Sequence, residues 1–278
     1  MVFSVRAAAI ALYPARRPPR STPPHLQHRD RRDGNDGIGR LRGGRQDFAE
    51  AAQRDWNDDY GRPSRGRSSI ADAIANGATL ARIHDVAGGF AEGDKGRYRL
   101  DSDYLLHGPL SHILALQDLS DPVRTGFVDL TARLSSALEK WEGLTRTRCH
   151  GDCHGYNAHI AEQGPHAGQA VFFDFDDGGP GFLAYDLAAF LHACVLFERK
   201  QHAFWHAFIE GYRSIRELSP ADFEAVHLFV LFRHLWLFGE YASRIHEWGQ
   251  QAVPGDWVAE QLDFMLSWEK EKLVPGLL

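Results

Sequence analysis

Cysteine is scarce: Cys149, Cys153 and Cys194 are the only three in 278 residues. So sparse and odd-numbered a set excludes a disulfide framework and fits a reducing compartment, so the cytoplasm is the expected location. Long apolar runs are missing too. No stretch reaches the roughly 18 uncharged apolar residues a membrane span needs. The most apolar segment, residues 227–238, contains Arg233 and His234 and reads as a buried helix. With a net charge of −6, the whole molecule lacks the electrostatic footprint of a nucleic-acid binder. No internal repeat is present. Lysine is absent before Lys95, and acids are absent from the first 29 positions. An acid-free, Arg- and Ser-containing start is also how a transit peptide reads, whereas Arg6 and the Tyr13-Pro14 break argue against a secretory core.

Charge divides the chain. Residues 1–70 hold fourteen Arg and eight acids, net +6, and the remainder is net −12. Residues 1–65 show no sustained period of 2 or 3.6, and Pro, Arg, Gly and Asp dominate, as in RRPPRSTPP and DRRDGNDGIGRLRGGR. Such a segment buries too little apolar surface to offset its ordering entropy, so disorder is expected there. Its basic residues lack the interleaved aromatics of a nucleic-acid surface.

Order is expected from about Ile70, giving a second region over 66–278. Ala73, Leu80, Ile83 and Ala87 form a helical face that ends at Gly88-Gly89, although Asn76 and Gly77 interrupt it. A loop is expected from there to about residue 119. Asp121-Pro122 then opens the clearest helix, with Val123, Phe127, Leu130, Leu134, Leu138 and Trp141 on one face and Gly143 as its stop. Residues 157–161 and 170–175 flank the turn-rich EQGPHAGQ and read as a β-hairpin. From Asp186 onward the chain reads as helical, with Ser219-Pro220-Ala221-Asp222 as a helix start.

The chemistry concentrates in Cys149-His150-Gly151-Asp152-Cys153-His154-Gly155-Tyr156-Asn157 and in Val171-Phe172-Phe173-Asp174-Phe175-Asp176-Asp177. Phosphoryl transfer needs a carboxylate to orient and deprotonate a hydroxyl, and oxygen ligands that fix magnesium against the phosphates. A loop Asp followed five residues later by an Asn, with a second Asp at the end of the returning strand, supplies that set. Magnesium favours such sparse oxygen ligation. Asp176 and Asp177 read as a solvated turn before Gly178-Gly179, and His154 as a loop-packing residue. The same stretch also offers Cys149, His150, Cys153 and His154, four soft ligands within six positions, so a zinc site is the competing metal reading.

The pattern H-G-D-x-H-x-x-N followed by a strand-end Asp resembles the aminoglycoside phosphotransferase and choline kinase superfamily. HGDCH with DFDD is most similar to stress response kinase A and type II homoserine kinases within it. The resemblance covers about residues 70–278, including GATLARIH, RYRLDSDYLL and the YDLA helix. It implies an α+β, protein kinase-like fold, here mainly the helical C-lobe with a catalytic hairpin. It further implies Asp152 as catalytic base and Asn157 and Asp174 as magnesium ligands at the ATP phosphates, with Asp174 counted among the catalytic residues as the counterpart of the kinase DFG aspartate. Asp186 would brace the loop and His150 would support it from beneath. The expected activity is ATP- and magnesium-dependent transfer of a γ-phosphoryl group to a hydroxyl of a small molecule or of protein Ser/Thr. Family acceptors include aminoglycosides, choline and homoserine, and the acidic C-lobe weakly favours a cation.

The family's N-lobe would supply a sheet, a Gly-rich loop over the phosphates and a β-strand Lys. Nothing in residues 1–65 resembles it, and an off-frame reading of GC-rich DNA accounts for an Arg-Pro-Gly-rich, Lys-free segment. Feeble ATP binding is therefore expected of this chain, and the alternative to a working enzyme is a catalytically silent lobe that binds other proteins.

Overall fold

A computed structural model describes residues 69–87, 99–196, 202–249 and 253–273. The expectations for residues 1–65, and for Lys95, lie outside the described residues. Helix α1 (Ile70–Ala87) buries Ala73, Leu80 and Ala87, with Ile83 half-buried. The interrupting Asn76 and Gly77 are buried as well, and the reason is steric. A Cβ on Gly77 would lie 1.9 Å from the Phe208 carbonyl oxygen, and one on Gly211 would lie 2.0 Å from that of Ile74. Two helix backbones cross at touching distance there, which only glycine permits. The partner of α1 is thus the helix carrying Phe208 and Gly211, His202–Arg213.

The loop expected up to residue 119 is in part helical. A π-helical turn, Asp103–His107, runs into helix α2 (Gly108–Leu114) and buries Leu105, Leu106, Pro109 and Ile113. Gly108 N still donates to Asp103 O, so Pro109, which has no N–H to give, sits in one continuous helical run just where it passes from π to α geometry. Helix α3 (Asp121–Lys140) buries Phe127, Leu130, Leu134 and Ala137. Trp141 follows in extended conformation, and Gly143 takes φ 77°.

Four short strands follow: β1 (Arg146–Cys149), β2 (Ala158–Ile160), β3 (Ala170–Phe172) and β4 (Gly179–Phe182). The hairpin forms from β2 and β3, antiparallel, with Ala158 opposite Phe172 and Ile160 opposite Ala170, so its strands are shorter than the sequence suggests. A second ladder went unseen in the sequence: β1 pairs antiparallel with β4, Arg146 opposite Phe182 and Cys149 opposite Gly179. GPGF has no strand-like alternation. Pairing with β1 defines it, and Gly181 lies against Leu100 and the Cys149 sulfur, where a Cβ would meet the Leu100 Cβ at 2.8 Å.

The remainder of the described chain is helical: α4 (Leu183–Leu196), α5 (His202–Arg213), α6 (Pro220–Ser243), the single turn α7 (Ile245–Trp248) and α8 (Gly255–Lys272). Ser219 caps α6, its Oγ accepting from the Asp222 amide at 3.0 Å. Helix α6 is buried almost all round, and Leu228, Phe229, Val230, Leu231, Phe232 and Leu235 are fully inaccessible. At roughly 1.5–3 kcal/mol per large apolar side chain, this helix is the main source of core burial. It packs on α2 and α4, and a bidentate Arg133–Glu269 pair at 2.8 Å joins α3 to α8. No helix among the described residues is long and apolar enough to cross a membrane. The architecture is a helix-rich α+β fold of the protein-kinase-like class, with both small ladders gathered beside the loop that holds Asp152.

Candidate active site

Residues 150–157 link β1 to β2 and hang from one carboxylate. Asp186, on the first turns of α4 and fully buried, accepts from His150 N at 2.7 Å and from Gly151 N at 2.8 Å. A third donor is His84 of α1, whose Nε2 lies 3.0 Å from Asp186 Oδ2, while its Nδ1 lies 2.9 Å from the Tyr212 hydroxyl. The tautomer with the proton on Nε2 satisfies both contacts. Burial alone would push the Asp186 carboxyl up, but the hydrogen bond from His84, the neighbouring His84 and His150 rings and the Gly151 amide hold it below the usual range. Three elements far apart in sequence, α1, α4 and α5, therefore meet at one anchoring group.

Gly151 bends the loop at φ 86°, and a Cβ there would strike the Asp177 carbonyl oxygen at 2.1 Å. No other residue fits. His150 lies beneath: Nε2 donates to Phe173 O at 3.0 Å, Nδ1 accepts from Asp152 N at 3.2 Å, and the ring lies against Phe175 and Phe172. It ties the loop to the end of β3.

Asp152 is almost fully buried, and both its oxygens are engaged. Asn157 Nδ2 donates to Asp152 Oδ2 and to its backbone carbonyl, each at 2.9 Å. Asp152 Oδ1 pairs with the guanidinium of Arg233. Arg233 also donates to Gly151 O at 3.1 Å, and its guanidinium lies 4.7 Å over the Trp236 ring. His154 Nδ1 accepts from the Tyr156 amide at 3.2 Å, which leaves Nε2 to face Asp152 Oδ2 at 3.6 Å.

Asp174 is reached through the hairpin. Phe173 N donates to Asn157 O at 3.1 Å, so the ladder ends with Asn157 opposite Phe173, and Asp174 is the next residue. It is the one non-glycine residue with positive φ among the described residues, at 64°, and it is solvent-exposed. Aspartate tolerates this region better than most side chains, yet the conformation costs about 1 kcal/mol or more and clusters at functional sites. Asp176 and Asp177 lie in the turn that Gly178 N closes onto Phe175 O at 3.0 Å.

The zinc reading does not survive this geometry. The Cys149 thiol donates to Phe182 O at 3.3 Å and the Cys153 thiol to Asp186 O at 2.9 Å. Burial pushes both thiols well above their ordinary range. His150 spends both ring nitrogens on the backbone, and among the described residues no group of three or more His, Cys, Asp or Glu side chains is placed to hold a metal ion.

Sequence reasoning missed Arg233, His84 and Tyr212. A signal existed for the first: a guanidinium inside an otherwise apolar run must be paired, because an unpaired buried charge costs several kcal/mol. Nothing in the sequence named Asp152, 81 residues away, as its partner.

An uncharacterized protein of Deinococcus radiodurans is 35% identical over 210 residues, covering 72% of this chain and 58% of that one. The microcompartment-associated aminopropanol kinase has a similar structure, with TM-score 0.57 and 22% identity over 73% of this chain and 64% of that one. So has amicoumacin kinase, solved with AMP-PNP and Ca2+, with TM-score 0.56 and 20% identity over 76% and 63%. At these identities the structural likeness shows the fold. The chain spans a little over half the length of the curated relatives it matches. Residues 61–228, more than half of the sequence and including the whole Asp152 loop, match the phosphotransferase enzyme family, and the chain belongs to that family.

Proposed function

We propose that this chain forms the helical lobe of an enzyme that transfers the γ-phosphoryl group of ATP to a hydroxyl, with Asp152 as the base. The observation that carries the reading is the joint placement of Asp152 and Asn157, 2.9 Å apart on a loop whose backbone is clamped by Asp186. Arg233 occupies Asp152 Oδ1, so Oδ2 is the oxygen that receives the proton. The acceptor O–H donates to Oδ2, the acceptor oxygen bonds to the γ-phosphorus as the bond to the β,γ-bridging oxygen breaks, ADP leaves, and the proton passes to Asp152.

Magnesium suits the residues present. Both donor contacts of the Asn157 amide go to Asp152, which leaves Oδ1 as its coordinating end, and Asp174 offers an exposed carboxylate next to it along the chain from Phe173. These are hard oxygen ligands, and a magnesium ion shared with phosphates needs only one or two carboxylates from the protein. When bound, it neutralises charge on the phosphate oxygens. AMP-PNP with a divalent ion in the amicoumacin kinase structure is the same pairing. A cytoplasmic location follows from ATP, magnesium and three free cysteines.

The test is ATP consumption, with a panel of hydroxyl acceptors, by this lobe joined to the N-lobe of a relative, since feeble ATP binding is expected of the chain alone. Asp152→Asn is expected to lower turnover by about 10²–10⁴-fold with nucleotide binding retained, and undiminished turnover would refute the assignment. Asn157→Ala and Asp174→Ala are expected to raise the magnesium requirement; an unchanged titration counts against them.

One observation favours a second reading. Tyr156, Val171 and Phe175, around the loop and hairpin, are 43, 49 and 45% exposed, large apolar surfaces of the kind that dock another protein. A monodisperse chain without transfer activity that binds a protein through these residues would establish a silent lobe instead.

A further inference from the structure

If Asp152 is the base, the group that pairs with it also constrains the acceptor. We infer that the acceptor is an uncharged or anionic hydroxyl compound, that Arg233 selects it, and that amines and quaternary ammonium compounds are disfavoured. This rests on the phosphotransferase reading above and narrows it to a substrate class.

Three observations support it. First, a molecule whose hydroxyl reaches Asp152 Oδ2 comes within a few ångströms of the Arg233 guanidinium, because both contact one carboxylate. Arg233 and Asp152 are 3% and 2% exposed, so their charges cancel locally with little solvent screening. The base therefore offers a cationic acceptor no net attraction. The −12 surplus spread over residues 71–278 acts mostly beyond a screening length of about 8–10 Å, so the weak preference for cations drawn from it does not reach the site.

Second, sites for alkylammonium groups are built from aromatic faces. The Trp236 face beside the base is covered by Arg233, and the Tyr104 ring lies 6.3 Å from Trp236 in a tilted arrangement. The Trp236 face beside the base is thus already taken by the chain's own guanidinium.

Third, the polar side chain beside the Oδ2 end of the base is a donor. His154, with Nδ1 accepting from Tyr156, presents Nε2–H toward Asp152. Such a donor complements carboxylate, carbonyl or hydroxyl oxygens and offers an ammonium group nothing to bond beyond the base itself.

The experiment measures binding of glycerate, choline and 1-amino-2-propanol to the full chain by calorimetry, in the presence of magnesium and AMP-PNP. Wild type, Arg233→Lys and Arg233→Gln are compared, and AMP-PNP binding is recorded separately for each. Glycerate is expected to bind wild type at least about tenfold more tightly than either cation, since wrong-sign charge across a contact costs that much or more. Arg233→Lys should keep this order. Arg233→Gln, which leaves Asp152 unneutralised, should lose about tenfold for glycerate and gain for choline. If Arg233→Gln fails to fold, the wild-type order and Arg233→Lys decide. Tighter binding of either cation to wild type, an order unmoved by Arg233→Gln, or no binding of any probe overturns the inference. A glycerate preference that stays intact while Asp152→Asn leaves turnover undiminished would instead sink the phosphotransferase reading.

Discussion

Replacing Asp186 by asparagine tests whether one buried carboxylate holds the catalytic loop. The carboxylate accepts three hydrogen bonds: Gly151 N on Oδ1, and His150 N and His84 Nε2 on Oδ2. An amide has one acceptor end. Its best orientation turns that oxygen toward His150 and His84 and sets the NH2 against the Gly151 N–H, donor facing donor. One charge-assisted bond, worth about 1.5–3 kcal/mol, is lost, and two others fall to neutral strength, about 1 kcal/mol each. An amide is cheaper to bury than a carboxylate, which offsets part of this, so the net cost is about 2–4 kcal/mol. In a chain of this size that lowers Tm by on the order of 10 °C. Urea unfolding at pH 7 measures the energy, and hydrogen exchange over residues 149–157 shows where it acts. Asp222→Asn is the control. Asp222 also binds backbone and hydroxyl partners, at Thr145 N 2.8 Å and Thr145 Oγ1 2.7 Å, so its loss should destabilise without freeing the loop amides. The pH dependence has a definite sign. Because the folded carboxyl titrates below its unfolded value of about 3.9, its contribution is complete above that pH and is lost as pH falls through the folded value. Wild type should therefore lose more stability than Asp186→Asn on acidification below about pH 4. A cost under about 1 kcal/mol, with exchange at His150 and Gly151 unchanged, would refute the anchoring role.

Other predictions follow from the same contacts. Arg233→Met leaves the Asp152 charge buried without its partner and should cost about 3–5 kcal/mol, while the Asp152→Asn/Arg233→Met double variant recovers much of it. Additive costs in that cycle would show the pair is not coupled. Gly77→Ala and Gly211→Ala each drive a methyl into a neighbouring helix backbone, at 1.9 and 2.0 Å. Overpacking of about 1–3 kcal/mol or more should exceed the roughly 1 kcal/mol that alanine gains in a helix. Gly126→Ala, which meets only the flexible end of Leu262, should cost far less in thermal melts. Cys149, Cys153 and Cys194 are all buried and free, so a thiol reagent should titrate none in the native chain and three after unfolding. Rapid native reaction at Cys149 or Cys153 would reopen the question of a thiolate site.

Local pattern carried much of this protein. The apolar spacing from Phe127 to Leu134 produced α3, the Ser219-Pro220 start produced α6, and turn chemistry between two short apolar runs produced the β2–β3 hairpin. The H-G-D-x-H-x-x-N motif marked Asp152 and Asn157, which lie together because only five positions separate them. Each of these is settled by near neighbours in the chain, where spacing and geometry are nearly the same thing. The misses are of another kind. GPGF is a strand only because Arg146–Cys149 lies beside it, and the glycines of α1 and α5 make sense only once two backbones touch. His84 lies 102 residues before the Asp186 it serves, Tyr212 lies 128 residues after His84, and Arg233 lies 81 residues after Asp152. Composition shows that a buried charge must find a partner, but not which one. That choice belongs to the crossing of α1, α4, α5 and α6 around the loop, because a pairing energy exists only after burial has brought both groups out of water.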